Sequence, residues 1–344
     1  MRTLIEESYD LWLADASYPV CGRVEELMNA AMWEVCGGGG IGDACRLFEN
    51  AVLAHYKEYL GDFDGRVSLT DGSTGVSYAL FRLLGRRVRA YRGLVSRFSD
   101  AFVDTDGVAR PLALSSLTGY SATRELEAAD VALIYLCSPS AVTGEALPRK
   151  VLEAWVRLAE ERRCLLVLDS TLSPFILEDE HANRFARSIF EVAGTRKMCA
   201  ELFSFAPRWY AGLDVGGLVT PSCETFMPRL EAVEGRMRYA RAKRSRVRGV
   251  FSYAQTEYVL MRAAVGVLEA EARYEIKNAC RGYIERIRAV ASFVAARGLD
   301  CGVCAASPFL LVKGRQKLCA MGIRGRDAGT LSGAFCGFSV LSGF

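Results

Sequence analysis

Two aspartates stand where a carboxylate can meet a ligand. Asp71 opens the run Asp71-Gly72-Ser73-Thr74-Gly75 after the short strand-like stretch Arg66 to Thr70, and Asp169 closes the unbroken apolar run Cys164 to Leu168. A strand, a glycine-rich turn and a following helix form a geometry in which free backbone N–H groups and the helix dipole favour a phosphate. Gly72, Ser73 and Thr74 are therefore candidate phosphate contacts, although the same three residues serve equally as a tight turn and helix N-cap. Asp169 either caps a turn or meets a ligand at the carboxyl end of its strand. The basic stretch Arg236, Arg238, Arg241, Lys243, Arg244, Arg246 and Arg248 offers a second place for an anion, beside its plainer reading as a solvated helix face.

Other chemistries have little material. The only histidines, His55 and His181, lie in helix-like or charged surroundings and read as surface residues rather than bases. The cysteines are scattered through apolar contexts, which favours reduced, buried thiols and a cytoplasmic protein over a disulfide framework. Cys301 and Cys304 alone make a C-x-x-C pair, and a four-cysteine metal site needs two such pairs, so no metal is expected. A net charge of +3 is too small to point to nucleic acid or to an anionic membrane as the main partner. No apolar run nears the roughly 20 residues that span a bilayer. Met1 to Asp15 carries Glu6, Glu7 and Asp10 among its apolar residues, unlike a secretory signal.

These residues need a scaffold, and the pattern around them supplies one. Val24, Leu27, Ala31 and Val35 recur at helical spacing, and Gly37-Gly38-Gly39-Gly40 ends that helix. A second helix is expected from about 44 to 60, then a strand at 66–70 and a helix at 76–84. Strand 131–137, helix 150–162 and strand 164–168 follow, with a strand pair at 199–205 and 215–220. Unbroken apolar strands separated by helices predict an α/β fold with a parallel sheet covered on both faces. From 257 to 297 the pattern becomes long and helical, and 309–312 reads as a strand of a second, smaller domain. At 344 residues the chain is long enough to split in this way. The expected division is a segment 1–42 packing with the small domain, a large domain at 43–248 and a small domain at 249–344.

Several of these segments, taken in order, resemble the landmarks of the class I/II aminotransferases, pyridoxal-phosphate (PLP) proteins of fold type I. They are Asp71-Gly72-Ser73-Thr74-Gly75, the segment Cys137-Ser138-Pro139-Ser140-Ala141-Val142-Thr143-Gly144, Asp169-Ser170-Thr171-Leu172, and Ser204-Phe205-Ala206-Pro207 followed by Ala211-Gly212-Leu213-Asp214-Val215-Gly216-Gly217. Ser188-Ile189-Phe190-Glu191-Val192-Ala193-Gly194 is similar to the SIFEIEG segment of the LL-diaminopimelate aminotransferase branch. The resemblance spans roughly Leu11 to Val312. It implies a three-layer α/β/α domain with a mostly parallel sheet, a smaller α+β domain, and a homodimer whose sites lie across a two-fold axis. It also implies that Asp169 takes the position of the carboxylate that pairs with the protonated pyridine nitrogen. Gly72, Ser73 and Thr74 match the phosphate cup, and Ser204 the hydroxyl three residues before the Schiff-base lysine.

The sequence departs from that pattern at four polar contacts. The lysine position falls on Pro207 or, aligned from the later segment, on Ala206, and neither carries an amine. The phosphate-binding arginine is replaced by Asp214, the asparagine that bonds the cofactor hydroxyl by Ala141, and the tyrosine that does the same by Leu172. Gly337 stands where the carboxylate-gripping arginine is expected, and the family's final helix does not follow before Phe344. The expectation is a degenerate homologue without a covalently bound cofactor, binding PLP weakly if it binds it. Its old cleft stays open to a small anionic ligand or to an interaction role. The alternative is a PLP-dependent aminotransferase with a lysine from elsewhere, for which Lys243 is the first choice, or lysine-independent chemistry on the same fold.

Overall fold

The computed structural model describes residues 22–38, 40–70, 88–91, 110–112, 133–139, 146–177, 184–194, 198–205, 215–222, 253–301, 309–313, 326–327 and 335–339. Helix α1 (Gly22–Cys36) buries Val24, Ala31 and Val35, the stripe expected from spacing, and stops at the glycines, where Gly37 N–H reaches Trp33 O at 3.0 Å. Helix α2 (Ile41–Leu60) buries Ala44, Phe48, Val52 and Tyr56 at four-residue intervals and ends on Gly61, whose φ of 77° suits glycine.

A seven-stranded sheet follows. Its strands are β1 (Gly65–Thr70), β2 (Val88–Tyr91), β3 (Arg110–Leu112), β4 (Leu133–Cys137), β5 (Leu165–Asp169), β6 (Cys199–Ser204) and β7 (Gly216–Pro221), in the spatial order β1-β7-β6-β5-β4-β2-β3. β7 runs antiparallel to both of its neighbours, and the other strands all point the same way. β4, β5 and β6 are buried almost throughout, which is why they read as continuous apolar runs. Between β4 and β5 lies helix α3 (Arg149–Arg162), which buries Leu152, Trp155, Val156, Leu158 and Ala159. A short helix, α4 (Phe190–Ala193), precedes β6.

Two helices then pack back on this layer: α5 (Tyr253–Val267) and α6 (Ala270–Ala295). The single long helical pattern of the sequence is thus broken at 268–269, where the N–H groups of Leu268 and Glu269 turn back to Val265 and Gly266. No proline or glycine marks the break itself, which is why spacing alone missed it. A second, antiparallel sheet has the order β10-β11-β9-β8, built from β8 (Asp300–Cys301), β9 (Phe309–Lys313), β10 (Arg326–Asp327) and β11 (Phe335–Ser339). Helix α1 lies along α5, tied at its start to the junction between α5 and α6 and at its end to α5. Arg23 Nε meets Glu269 at 3.0 Å, while Tyr258 Oη and Arg262 Nε donate to Glu34 at 2.6 and 3.0 Å.

Successive residues of a strand face opposite sides of a sheet, and here the two sides differ. Ile134, Leu136, Leu166, Leu168, Cys199, Phe203 and Phe205 share one continuous core with residues of α2, α3, α5 and α6. Tyr135, Asp169 and Ser204 alternate with them and so belong to the other face.

Candidate functional site

Strand register brings the sequence-predicted residues to one edge. Thr70 pairs with Gly216, and Gly216 with Ser204. Asp169 is flanked by Cys137 on one side and Leu202 on the other. The carboxyl ends of β1, β4, β5 and β6 therefore line the same rim, where ligands gather in such sheets. Asp169 and Ser204 lie on one face of that rim. Ser204 is only 1% exposed. Gly72, Ser73 and Thr74 follow β1 directly in the chain but fall outside the described residues. So do Ala141, Ala206, Pro207, Asp214 and the basic stretch 236–248.

The Asp169 carboxylate accepts two hydrogen bonds. Thr171 N–H reaches Oδ1 at 3.0 Å and Tyr135 Oη donates to Oδ2 at 2.8 Å. Burial raises its pKa above the usual carboxyl value, against the opposing pull of Thr171 and Tyr135. Asp169 in turn contributes to pushing the buried Cys137 thiol well up, after the larger effect of burial. The strand end is held by Ser138 N–H on Asp169 O at 3.1 Å and by Leu147 N–H on Ser138 Oγ at 2.9 Å. Leu172, at the place where the resemblance puts a hydrogen-bonding tyrosine, is 6% exposed and belongs to the main core.

Two polar features escaped the sequence reading. Tyr135 looked like part of an apolar strand; its signal was a hydroxyl two residues before the strand end, on the same side as Asp169. Glu201 is a carboxylate inside the buried strand β6, on the opposite face. It accepts from Tyr56 Oη at 2.8 Å, Ser170 Oγ at 2.7 Å, Ser188 Oγ at 2.5 Å and Ile189 N–H at 2.9 Å. Burial raises its pKa, while these donors act the other way. His55, read as a surface residue, is half-buried and packs edge-on against Tyr59, ring centroids 5.5 Å apart.

A half-buried aspartate at the carboxyl ends of the parallel strands of such a sheet is in keeping with the α/β fold type I class. The sequence profile of the family "Aminotransferase class I and II" matches residues 46–323, and the chain belongs to that family. It is 27% identical over 195 residues to an LL-diaminopimelate aminotransferase of Desulforapulum autotrophicum, a match covering 56% of this chain and 45% of the relative. A second, from Prochlorococcus marinus, is 26% identical over 201 residues, 58% and 46% of the two chains. The matches thus span about half the length of these curated relatives. The fold is similar to that of L,L-diaminopimelate aminotransferase from Chlamydomonas reinhardtii, with a TM-score of 0.77 and 17% identity over 98% of this chain and 87% of that one.

PLP is the family's cofactor, and the described residues fit it at one end. A half-buried carboxylate with no cationic partner among the described residues, its pKa raised by burial, suits a protonated pyridine nitrogen. When bound, the cofactor supplies an electron sink. Asp169 would hold its ring nitrogen, Tyr135 would orient Asp169, and Ser204 faces the same side. The segment 205–215 that follows β6 contains no lysine.

Proposed function

We propose that this chain is a non-catalytic member of the aminotransferase family whose former cofactor cleft binds a small anionic ligand. One observation carries the reading. The connection from β6 to β7, residues 205–215, contains no lysine, and the nearest ones in the chain are Lys197 and Lys243. This holds whichever register is chosen, so it does not depend on whether Pro207 or Ala206 takes the lysine's place. Lys57 and Lys150 are exposed on α2 and α3, and Lys277 stands on α6 beside the sheet face opposite Asp169. A family member needs a primary amine both to form the Schiff base and to move the substrate's Cα proton.

The loss of the arginine, asparagine and tyrosine contacts at Asp214, Ala141 and Leu172 points the same way. A charge-assisted contact contributes about 1.5–3 kcal/mol and a neutral one about 0.5–1.5 kcal/mol. Their combined loss leaves PLP bound weakly and without a covalent link. The protein acts in the cytoplasm as a homodimer, with a ligand-dependent regulatory or interaction role. Among the described residues no helix is long and apolar enough to cross a membrane.

Family membership itself favours a second reading, PLP-dependent transamination with a lysine brought from elsewhere, Lys243 first. Coupled assays of the purified chain with amino-acid and 2-oxo-acid pairs, including LL-diaminopimelate, separate the two. No transfer above background and a colourless protein after dialysis against PLP are expected. Turnover that saturates with substrate would overturn the proposal.

A further inference from the structure

Ser170 is the pivot between the two faces of the large sheet. It follows Asp169 at the end of β5. Leu168 pairs with Glu201 and Asp169 with Leu202, so Ser170 returns to the face of Glu201 while Asp169 stays on the other. Ser170 is fully buried, and each of its polar groups is fastened. Its N–H donates to Leu202 O at 2.8 Å and its carbonyl accepts from Ser173 N–H at 2.8 Å. Its hydroxyl donates to Glu201 Oε1 at 2.7 Å, with Leu202 O as a longer second acceptor at 3.1 Å. One hydroxyl proton serves both, and the shorter contact, to the carboxylate, is the stronger.

Glu201 is itself anchored away from the rim. Tyr56 Oη of α2 shares Oε1 with Ser170, while Ser188 Oγ and Ile189 N–H hold Oε2. The carboxylate therefore ties Ser170 to α2 and to the turn before α4. On either side of Ser170 in the chain stand the two groups that shape the rim. One is the Asp169 carboxylate, and the other is the Thr171 N–H that donates to its Oδ1 at 3.0 Å. Burial raises the Asp169 pKa and Thr171 opposes that rise. Each of the two groups is one peptide unit from the residue that Glu201 holds, so a shift of Ser170 alters both.

We propose that Glu201 is a positioning residue for Asp169, acting across the sheet through Ser170. A contact group has to be held to a fraction of an ångström by its supporting hydrogen bonds, and Ser170 carries that support from the core face to the rim. The role rests on the reading of Asp169 as a ligand contact, but the pinned turn is a property of the chain alone.

Titration of the Asp169 carboxyl by carbon NMR of the full chain tests it without a ligand, the signal being assigned by its loss in Asp169→Asn. In Glu201→Ala the midpoint should move up, because Ser170 is freed and the Thr171 N–H is released from the carboxylate. Ser170→Ala should move it the same way, and it carries the test should Glu201→Ala fail to fold. Ser188→Ala removes a donor from the other oxygen of Glu201 and leaves Ser170 in place, so it should lower stability without moving the midpoint. Pyridoxamine 5′-phosphate, which has no aldehyde to react with lysines, then probes the cleft. Ser170→Ala should weaken its binding by about tenfold, and Ser188→Ala should leave it unchanged. An unmoved midpoint in the Glu201 or Ser170 variant, an equal shift in Ser188→Ala, or unweakened binding of the probe by Ser170→Ala would each overturn the role of Glu201. A parent chain that does not bind the probe, with the midpoint moving as expected, would overturn the ligand reading of the cleft and leave the positioning of Asp169 standing.

Discussion

Among the described residues one face of the large sheet carries the buried Glu201 and the other the half-buried Asp169, and the two are treated differently. Asp169 receives hydrogen bonds from Thr171 and Tyr135, whereas Glu201, one strand away on the other side, receives four from Tyr56, Ser170, Ser188 and Ile189. An ionised carboxylate offers roughly four acceptor sites. Glu201 is therefore complete, and its partners come from α2, the end of β5 and the turn before α4, so it braces those elements to β6. Among the described residues Asp169 keeps acceptor capacity at the rim where ligands collect. A buried carboxylate that the protein itself completes is structural, and one left incomplete beside a cleft is set up for a partner from outside.

Glu201→Ala bears hardest on this contrast. It removes an acceptor that four donors share in a dry interior, with Ser170 Oγ keeping Leu202 O at 3.1 Å, and unfolding in urea should show a loss of about 4 kcal/mol. A loss below about 1 kcal/mol would mean that Glu201 braces nothing. Removing single donors sharpens the comparison. Ser188→Ala should lower stability by about 2 kcal/mol, since it takes a hydrogen bond from a buried charge. Tyr135→Phe should cost about 1 kcal/mol and raise the Asp169 pKa further. If Tyr135→Phe proved the more damaging of the two, the assignment of brace and ligand contact would be reversed.

The pH dependence gives a smaller but signed effect. The Asp169 carboxyl is raised above its ordinary 3.8 by burial, so the folded chain holds this proton more tightly than the unfolded one. Its contribution to stability is full below the unfolded value and is lost as pH rises through the folded value. Asp169→Asn cannot titrate, while Glu201 titrates alike in both proteins. The difference in Tm between Asp169→Asn and the parent should therefore move in favour of the variant from about pH 4 to about pH 8. A constant difference would show that Asp169 is not held against its charge. The smallest effect belongs to the surface pairing of α1 with α5. Arg262→Gln removes a partly exposed pair with Glu34 and should change stability by no more than about 1 kcal/mol by thermal denaturation.

Much of this arrangement was legible in the sequence. The helices α1, α2 and α3 and the strands β1, β4, β5, β6, β7 and β9 stand where apolar spacing put them, because local residue order displays a stripe or a run in each. Strands β2, β3, β8 and β10 were missed because they are short and carry no run of their own; β11, as long as β9, was missed although it holds Phe335, Cys336 and Phe338. At the rim, Asp169 was marked because it ends an apolar strand and Ser204 through the family resemblance, and register brings both to one face. Tyr135 and Glu201 were hidden by the same cue, since a polar atom inside an apolar strand looks like noise until its partners, up to 145 residues distant for Glu201 and Tyr56, are known.

Whether the rim face of the sheet has kept a ligand contact but lost its covalent chemistry can be read in one experiment. The full chain is incubated with PLP, reduced with borohydride, digested and mapped by mass. Labelling should be substoichiometric and scattered over exposed lysines such as Lys57 and Lys150, and Asp169→Asn should leave that pattern unchanged. One equivalent of reduced cofactor on a single lysine, Lys243 or any other, would contradict the non-catalytic reading and name the residue that replaced the missing amine.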